Sequence, residues 1–125
     1  MDYRLDHIHL RTAKPRTTAQ FYIDMFGAVP VGEVMTGAAL RVMVNLGGLL
    51  MFIEQVPPET PAPPTAPFRG IEHIGLLVAD IEVAAAELRA KGAKFVVEPR
   101  SPAPGIKIAF LEGPDGVRIE ILQRG

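Results

Sequence analysis

The sequence contains no cysteine in its 125 residues. This absence excludes disulfide bonds, catalysis by a thiolate and structural zinc sites that are built from cysteine. Any metal ion that the chain holds must therefore be bound by nitrogen and oxygen atoms. Because disulfides are typical of oxidising compartments, we expect a cytoplasmic location.

The sequence also lacks an excess of charge and any long apolar run. Thirteen basic residues stand against fourteen acidic ones, so the basic stripe that a nucleic-acid-binding protein normally carries is missing. The longest fully apolar run is Leu49 to Ile53, and the N-terminus carries Asp2, Arg4 and Asp6 in place of an apolar signal segment. We therefore predict no nucleic-acid partner, no membrane association and no classical secretion.

Proline is present twelve times but is unevenly distributed. Six prolines lie close together at mid-chain, where they favour an extended connector, because proline has no backbone N–H for a central strand. Half of this chain is marginal in length for an independent core. We therefore predict one domain over residues 1–125, with module one at 4–55, a proline-rich connector at 56–69 and module two at 70–124. The clustered prolines are Pro57, Pro58, Pro61, Pro63, Pro64 and Pro67.

The two halves of the chain repeat each other in sequence. The pair His7-Ile8 recurs 66 residues later as His73-Ile74, and Ile53-Glu54 recurs at the same spacing as Ile119-Glu120. Arg41 matches Lys107 in the same way. Self-similarity at a fixed spacing indicates a duplicated structural unit.

Module one is predicted to form a strand, a helix and three further strands. The alternation of residues 5–11 predicts a strand with His7, His9 and Arg11 on one face. A capping box of Thr17 and Gln20 predicts the start of the helix, and Gly27 predicts its end. The remaining strands are predicted at residues 30–35, 39–46 and 49–55.

Module two is predicted to repeat this order. Residues 71–78 form the first strand, Asp80 caps the helix and Gly92 ends it. Three strands follow, near residues 94–98, 106–111 and 117–123. The predicted fold class is therefore α+β, with two βαβββ modules.

One histidine and one glutamate occupy equivalent positions in the two modules: His7 with Glu54, and His73 with Glu120. Glu54 interrupts an apolar strand, and a buried carboxylate needs a cation, a partner or a proton. Pairing of the modules about a pseudo-twofold axis would bring the four side chains to one centre. Two imidazoles and two carboxylates suit one divalent ion such as Zn²⁺, Ni²⁺, Co²⁺, Mn²⁺ or Fe²⁺.

His9 offers an alternative ligand, because it lies on the same predicted strand face as His7. Gly75 takes its place in module two, so the repeat gives His9 no counterpart. We interpret His9 as a residue that lines the pocket or that contacts the metal ligands from outside. The alternative that His9 replaces His7 as a ligand stays open.

Four segments of the chain resemble the vicinal oxygen chelate superfamily, which contains glyoxalases, bleomycin resistance proteins and dioxygenases. They are the two His-Ile strand starts, the helix end FYIDMFGA and the segment GIKIAFLEGPDGVRIEIL. The resemblance extends from Leu5 to Gln123 and is closest to the glyoxalase I and methylmalonyl-CoA epimerase branches. It implies the paired βαβββ fold and metal ligands at His7, Glu54, His73 and Glu120.

The resemblance also implies a metal-dependent lyase or isomerase that moves a proton next to a carbonyl group. In glyoxalase I-like enzymes the second-module glutamate is the base, which corresponds to Glu120 here. In epimerase-like enzymes two carboxylates act on opposite faces, which would make Glu54 catalytic as well. Arg11 corresponds to an arginine that pairs with a carboxylate of glutathione, and His9 and Lys107 are further candidates for substrate binding.

Other activities of the same fold stay open. An Fe²⁺-dependent ring-cleaving dioxygenase of the extradiol type, or a metal-dependent thiol transferase that acts on an antibiotic, needs only His7, His73 and Glu120. A non-enzymatic module that binds a small molecule is a further alternative. We expect a small-molecule substrate with a carbonyl or vicinal oxygens, and a homodimer.

Overall fold

A computed structural model describes residues 1–125 and divides them into two compact units, Met1–Pro61 and Ala62–Gly125. The division falls inside the proline-rich stretch, and residues 56–72 contain neither helix nor strand.

Each unit has the βαβββ order that the sequence predicts. The first unit contains β1 (His7–Thr12), α1 (Pro15–Phe26), β2 (Val29–Thr36), β3 (Ala39–Leu46) and β4 (Leu49–Gln55). The second contains β5 (His73–Leu77), α2 (Ile81–Ala90), β6 (Lys94–Ala103), β7 (Ile106–Glu112) and β8 (Arg118–Arg124), with a single 3₁₀ turn at Pro114–Gly116. The α+β fold of two βαβββ modules is therefore confirmed.

Each unit forms one four-stranded sheet with the same topology. The strand orders are β1-β4-β3-β2 and β5-β8-β7-β6, so the first strand of each unit lies beside the last. That pairing is parallel, whereas the other pairs are antiparallel. Paired residues of neighbouring strands project to the same face of a sheet. The parallel pairing thus brings the histidine-bearing strand next to the glutamate-bearing strand.

One face of each sheet packs against the helix and forms the core. In the first unit Tyr22 of α1 is fully buried together with Val44 and Ile53. Burial of a side chain as large as isoleucine stabilises a fold by about 1.5–3 kcal/mol, so these buried side chains contribute to the stability of the fold. The corresponding side chains of the second unit are Ile81, Leu111, Ile119 and Ile121.

The start of α1 differs from the prediction. Pro15 occupies the first turn, Lys14 stands at the N-cap, and no side chain caps the helix. Thr17 therefore lies inside the helix, and Gln20 donates a hydrogen bond to Asp24 at 2.7 Å. The predicted capping box is wrong because proline, which needs no N–H partner, starts the helix earlier. The predicted stop is confirmed, since Gly27 has a φ of 69° and its N–H bonds to Ile23.

The start of α2 follows the prediction. The Asp80 carboxylate accepts hydrogen bonds from the backbone N–H groups of Glu82 and Val83, at 3.0 and 3.2 Å. The strands differ at their edges: β5 is shorter than residues 71–78, and β6 continues to Ala103 through three irregularities in its pairing with β7. Neither helix combines the length and the apolar character that a membrane-spanning helix requires.

The unequal helix starts predict unequal effects of two substitutions. Asp80→Ala removes the cap of α2 and is expected to lower the free energy of unfolding by about 1 kcal/mol. Thr17→Ala is the matched control, because Thr17 caps nothing and alanine favours the helix interior. Urea denaturation of both variants provides the measurement, and an equal loss in the two would contradict the assignment of the caps.

Candidate functional site

In the second unit the structure brings His73 and Glu120 together. Glu120 pairs with Gly75, two residues beyond His73 on β5, and His73 pairs with Arg118. The Nε2 atom of His73 lies 3.5 Å from Oε1 of Glu120. This distance exceeds that of an ordinary hydrogen bond, so the two polar atoms face each other without being bonded.

The other ring nitrogen of His73 is held by the preceding residue. Nδ1 lies 3.0 Å from Oε1 of Glu72, and the same carboxylate oxygen accepts a hydrogen bond of 2.9 Å from Nη1 of Arg118. The hydrogen bond with His73, together with the charge of Arg118, lowers the pKa of Glu72 against the opposing effect of burial. The imidazole thus turns Nδ1 towards a carboxylate and Nε2 towards Glu120.

Glu120 forms no ion pair with a lysine or an arginine. Its partners across the two neighbouring strands are Gly75 on β5 and Phe110 on β7, neither of which carries a charge. No lysine or arginine nitrogen lies within ion-pair distance of its carboxylate. A Cβ atom at Gly75 would lie only 3.5 Å from Oε1 of Glu120, so the missing side chain keeps this flank open.

Glu54 in the first unit has the opposite surroundings. Its strand partners are Arg11 on β1 and Arg41 on β3. Nη1 of Arg11 donates to Oε2 and Nε of Arg41 donates to Oε1, both at 2.7 Å. Glu54 is only 7% exposed, and these guanidinium groups, Arg41 foremost, lower its pKa although burial opposes the shift.

The structure places His9, not His7, beside Glu54. The Nε2 atom of His9 lies 3.7 Å from Oε1 of Glu54, and burial together with the charge of Arg11 lowers the pKa of His9. His7 stacks on Phe52 with 4.0 Å between the ring centroids, and its Nδ1 atom lies 2.7 Å from Asp6. His9 therefore resembles His73 because its Nε2 atom lies near a glutamate. His7 resembles His73 in a different way, because its Nδ1 atom contacts the carboxylate of the preceding residue.

A difference in strand register explains this result. His7 pairs with Leu50, so Glu54 lies four residues beyond the partner of His7, whereas Glu120 lies only two residues beyond the partner of His73. Two residues correspond to roughly 7 Å along a strand. The sequence repeat aligns His7 with His73. In the strand pairing, however, His9 is the residue equivalent to His73, because its partner Phe52 lies two residues before Glu54. The structure does not bring His7 and Glu54 together within the first unit.

Lys107 also lies away from the predicted site. It pairs with Gln123, whose side chain accepts a hydrogen bond from the backbone of Ile81 at the start of α2. Because side chains alternate along a strand, Lys107 lies on the face of the sheet opposite to Glu120. Its repeat counterpart Arg41 does contact Glu54. The β3–β4 turn contains two residues, whereas the β7–β8 connection contains five. This difference changes the strand register, so that Arg41 pairs with Glu54 but Lys107 pairs with Gln123.

Sequence reasoning assigned no role to Glu72 or Arg118. Glu72 was visible in the repeat, because Asp6 and Glu72 both precede a repeated histidine. Arg118 precedes Glu120 by two residues, so strand alternation already places both on one face. These two spacings are the signals that could have identified them.

A cavity of about 480 Å³ lies within the second unit beside Arg118. The proline-rich segment at residues 62–67 lines it, together with Val97 and Leu111. A cavity of this size with a mostly apolar lining and few polar groups is typical of small-molecule sites.

Only one of the two histidine–glutamate pairs fits a metal ion as it stands. The structure contains no group of three or more His, Asp or Glu side chains that could hold one. Two donors that face each other at 3.5 Å, as His73 and Glu120 do, can share an ion that lies about 2.1 Å from each. At Glu54 an ion would first have to displace Arg11 or Arg41.

The duplicated βαβββ unit, with its first and last strands paired in parallel, defines the class of protein. The chain belongs to the Glyoxalase/Bleomycin resistance protein/Dioxygenase superfamily, whose family model matches residues 4–121. The resemblance that the sequence motifs indicate is thereby confirmed.

Three relatives extend this assignment. The probable chloroplastic lactoylglutathione lyase of Arabidopsis thaliana is 43% identical over 58 residues, which cover 45% of this chain and 16% of that protein. The probable lactoylglutathione lyase of Synechocystis is 46% identical over 55 residues, covering 43% of this chain and 42% of the relative. The similarity thus spans less than half of either lyase. The uncharacterized protein YaeR of Escherichia coli is 26% identical over 126 residues, covering 97% of this chain and 96% of YaeR.

Solved structures share the fold at low sequence identity. A glyoxylase/bleomycin resistance protein/dioxygenase domain from Frankia has a TM-score of 0.82 and 15% identity, with 100% of this chain and 94% of that chain covered. The fosfomycin resistance protein FosX from Listeria monocytogenes, as an E126Q mutant complexed with Mn(II) and 1S,2S-dihydroxypropylphosphonic acid, has a TM-score of 0.77 and 16% identity, with coverage of 100% and 95%. Likeness at these identities establishes the fold.

The lowered pKa of Glu54 predicts a pH-dependent contribution to stability. In the unfolded chain this carboxyl titrates near its usual value of 4.5, whereas the folded protein keeps it ionised to lower pH. The stability that Glu54 gains from Arg11 and Arg41 is therefore fully present above pH 4.5, the usual pKa. It is lost as the pH falls through the folded-state pKa. We expect Glu54→Gln to lower the melting temperature at neutral pH, and this difference from the parent protein to shrink in acid.

Glu33→Gln is the matched control for this measurement. Glu33 forms two hydrogen bonds with Arg16, at 2.9 and 3.0 Å, but the pair is exposed to solvent and contributes little. A melting-temperature difference for Glu54→Gln that is no larger than the control's, or that is the same in acid as at neutral pH, would contradict the prediction.

Proposed function

We propose that this chain is a metal-dependent lyase or isomerase of the glyoxalase type, which moves a proton next to a carbonyl group with Glu120 as the base. The observation that carries the proposal is the difference in bonding partners between the two glutamates. Glu54 is bonded by two guanidinium groups, whereas no guanidinium contacts Glu120.

This difference decides which carboxylate can accept a proton. A general base must have a free lone pair within reach of the substrate. Both oxygens of Glu54 accept short bonds from arginine, and its lowered pKa makes it a weaker base. Glu120 would take the proton from the carbon atom, so that a C–H bond breaks and an O–H bond forms, and would return it to another atom of the substrate.

We propose His73, Glu120 and His7 as the residues that hold the divalent metal, where Glu120 would use one carboxylate oxygen for the ion and keep the other for the proton. His73 and His7 share the contact of Nδ1 with a preceding carboxylate, which is the usual arrangement of metal-binding histidines. A bound divalent ion supplies positive charge that stabilises negative charge developing on a substrate oxygen. Glu54 as a fourth ligand, or as a second base, stays a prediction from the sequence, and its contacts with Arg11 and Arg41 argue against both roles.

The relatives and the cavity support a small-molecule substrate. Two relatives carry the name of probable lactoylglutathione lyases, and lactoylglutathione lyase is the activity class that we propose here. The cavity beside Arg118 has the volume of a small-molecule site, although neither His73 nor Glu120 lines it. Arg11 and Arg41 are engaged by Glu54, so a substrate anion would bind them only by competing with that carboxylate. The homodimer expected from the sequence stays a prediction.

A second candidate function follows from the contacts of Glu54. With that carboxylate occupied by arginine, two histidines and one glutamate are left, which is the ligand set of Fe²⁺ dioxygenases. The same set would serve a metal-dependent enzyme of antibiotic resistance, and the Mn(II)-bound structural neighbour is a fosfomycin resistance protein. These activities need Glu120 as a ligand but not as a base.

The first test compares Glu120→Gln with the parent protein. Removal of a general base is expected to lower kcat by about 10²–10⁴-fold. Assays of hemithioacetal isomerisation and of acyl-CoA epimerisation, each with added Zn²⁺, Ni²⁺, Co²⁺ or Mn²⁺, provide the measurement. Glu87→Gln on the exposed face of α2 is the control. Activity in the parent that survives Glu120→Gln would refute the proposed role of the base.

The second test uses the open flank of Glu120. Gly75→Arg places an arginine at the position that Arg11 occupies beside Glu54, and we expect a loss of kcat comparable to that of Glu120→Gln. Gly75→Met adds a side chain of similar length without charge, and it should lose less activity. Equal activities of the two variants would show that bulk, not charge, matters at this position.

A further inference from the structure

We propose that Glu72, held in place by Arg118, is a positioning residue that fixes His73 in one tautomer, with the proton on Nδ1 and the electron pair on Nε2. The inference deepens the proposed function, because it concerns a histidine of the same site. It nevertheless stands on contacts within the second unit alone.

The contacts of Glu72 determine where the proton lies. A guanidinium can only donate hydrogen bonds, so Oε1 of Glu72, which lies 2.9 Å from Nη1 of Arg118, acts as an acceptor. At 3.0 Å from the same oxygen, Nδ1 of His73 must therefore be the donor. A neutral imidazole that is protonated on Nδ1 has its lone pair on Nε2, which faces Glu120.

Arg118 is itself fixed by an aromatic ring. Its guanidinium lies over Phe110, with the Cζ atom 4.1 Å from the ring centroid. The same ring makes a T-shaped contact with His73, with 5.1 Å between the centroids and an interplanar angle of 90°. Phe110 therefore contacts both partners of Glu72, namely Arg118 and His73, and it restricts the orientations that His73 can adopt.

In the first unit a carboxylate also contacts Nδ1 of the following histidine, but no arginine holds that carboxylate in place. Asp6 lies 2.7 Å from Nδ1 of His7, but its side chain is 81% exposed and no arginine bonds to it. Asp6 can turn into solvent, whereas Glu72 is held between two partners. Asp6 is therefore the natural comparison for Glu72, and we expect the tautomer of His7 to be less strongly biased.

The tautomer can be measured directly in the metal-free protein. The chain has only three histidines, so long-range ¹H–¹⁵N correlation spectra of their rings are readily assigned with single substitutions. At a pH where the imidazoles are neutral, we expect His73 of the parent protein to carry its proton on Nδ1. Glu72→Ala should move the major population to the Nε2-protonated form, and Asp6→Ala should leave His73 unchanged.

A second variant covers a failure of Glu72→Ala to fold. Arg118→Met keeps an apolar side chain over Phe110 but releases Glu72, and it should weaken the bias of His73 in the same direction. Parent protein with His73 protonated on Nε2, or an unchanged tautomer in a folded Glu72→Ala or Arg118→Met variant, would overturn the inference.

Zn²⁺ titration separates this inference from the proposed function. If the parent binds Zn²⁺, Glu72→Ala should weaken the affinity by about 10–100-fold, as expected for the loss of a carboxylate behind a histidine ligand, and Asp6→Ala should weaken it less. Equal losses in the two variants would count against the special role of Glu72. A parent protein that binds no divalent ion would refute the proposed metal-dependent activity, while the tautomer measurement would still decide the inference.

Discussion

The parallel pairing between the first and last strands of each unit determines the surroundings of both glutamates. A residue in the middle of three paired strands has two lateral neighbours on its own face, and these neighbours set its charge environment. For Glu54 they are Arg11 and Arg41, and for Glu120 they are Gly75 and Phe110. Two glutamates at equivalent places in a repeat thereby acquire different partners.

The glutamates of the two units therefore differ in what they bind. In the first unit two guanidinium groups satisfy both oxygens of one carboxylate, which stabilises the ionised form and leaves it little capacity to bind a proton or an ion. In the second unit the carboxylate faces an imidazole nitrogen at 3.5 Å, and Arg118 is bonded to Glu72 instead. Duplication has supplied two copies of the fold, and the side chains beside the glutamates distinguish them.

The sequence predicts the elements of this fold better than the partners of its side chains. Strands β3 and β4, the cap at Asp80 and the helix stop at Gly27 depend on local signals, namely alternation, a capping carboxylate and a left-handed glycine. The partner of Glu54 depends on turn length and strand register, which a repeat spacing does not encode. For that reason His7 was aligned with His73, although His9 occupies the matching place beside the glutamate, and Lys107 falls on the opposite face.

Diffraction from crystals grown with Mn²⁺, with data collected at the manganese absorption edge, tests the central claim most directly. Our account predicts an anomalous peak within bonding distance of His73 Nε2 and a Glu120 oxygen, with Glu54 still bonded to Arg11 and Arg41. A peak bound by Glu54, with the two arginines turned away from it, would contradict the account.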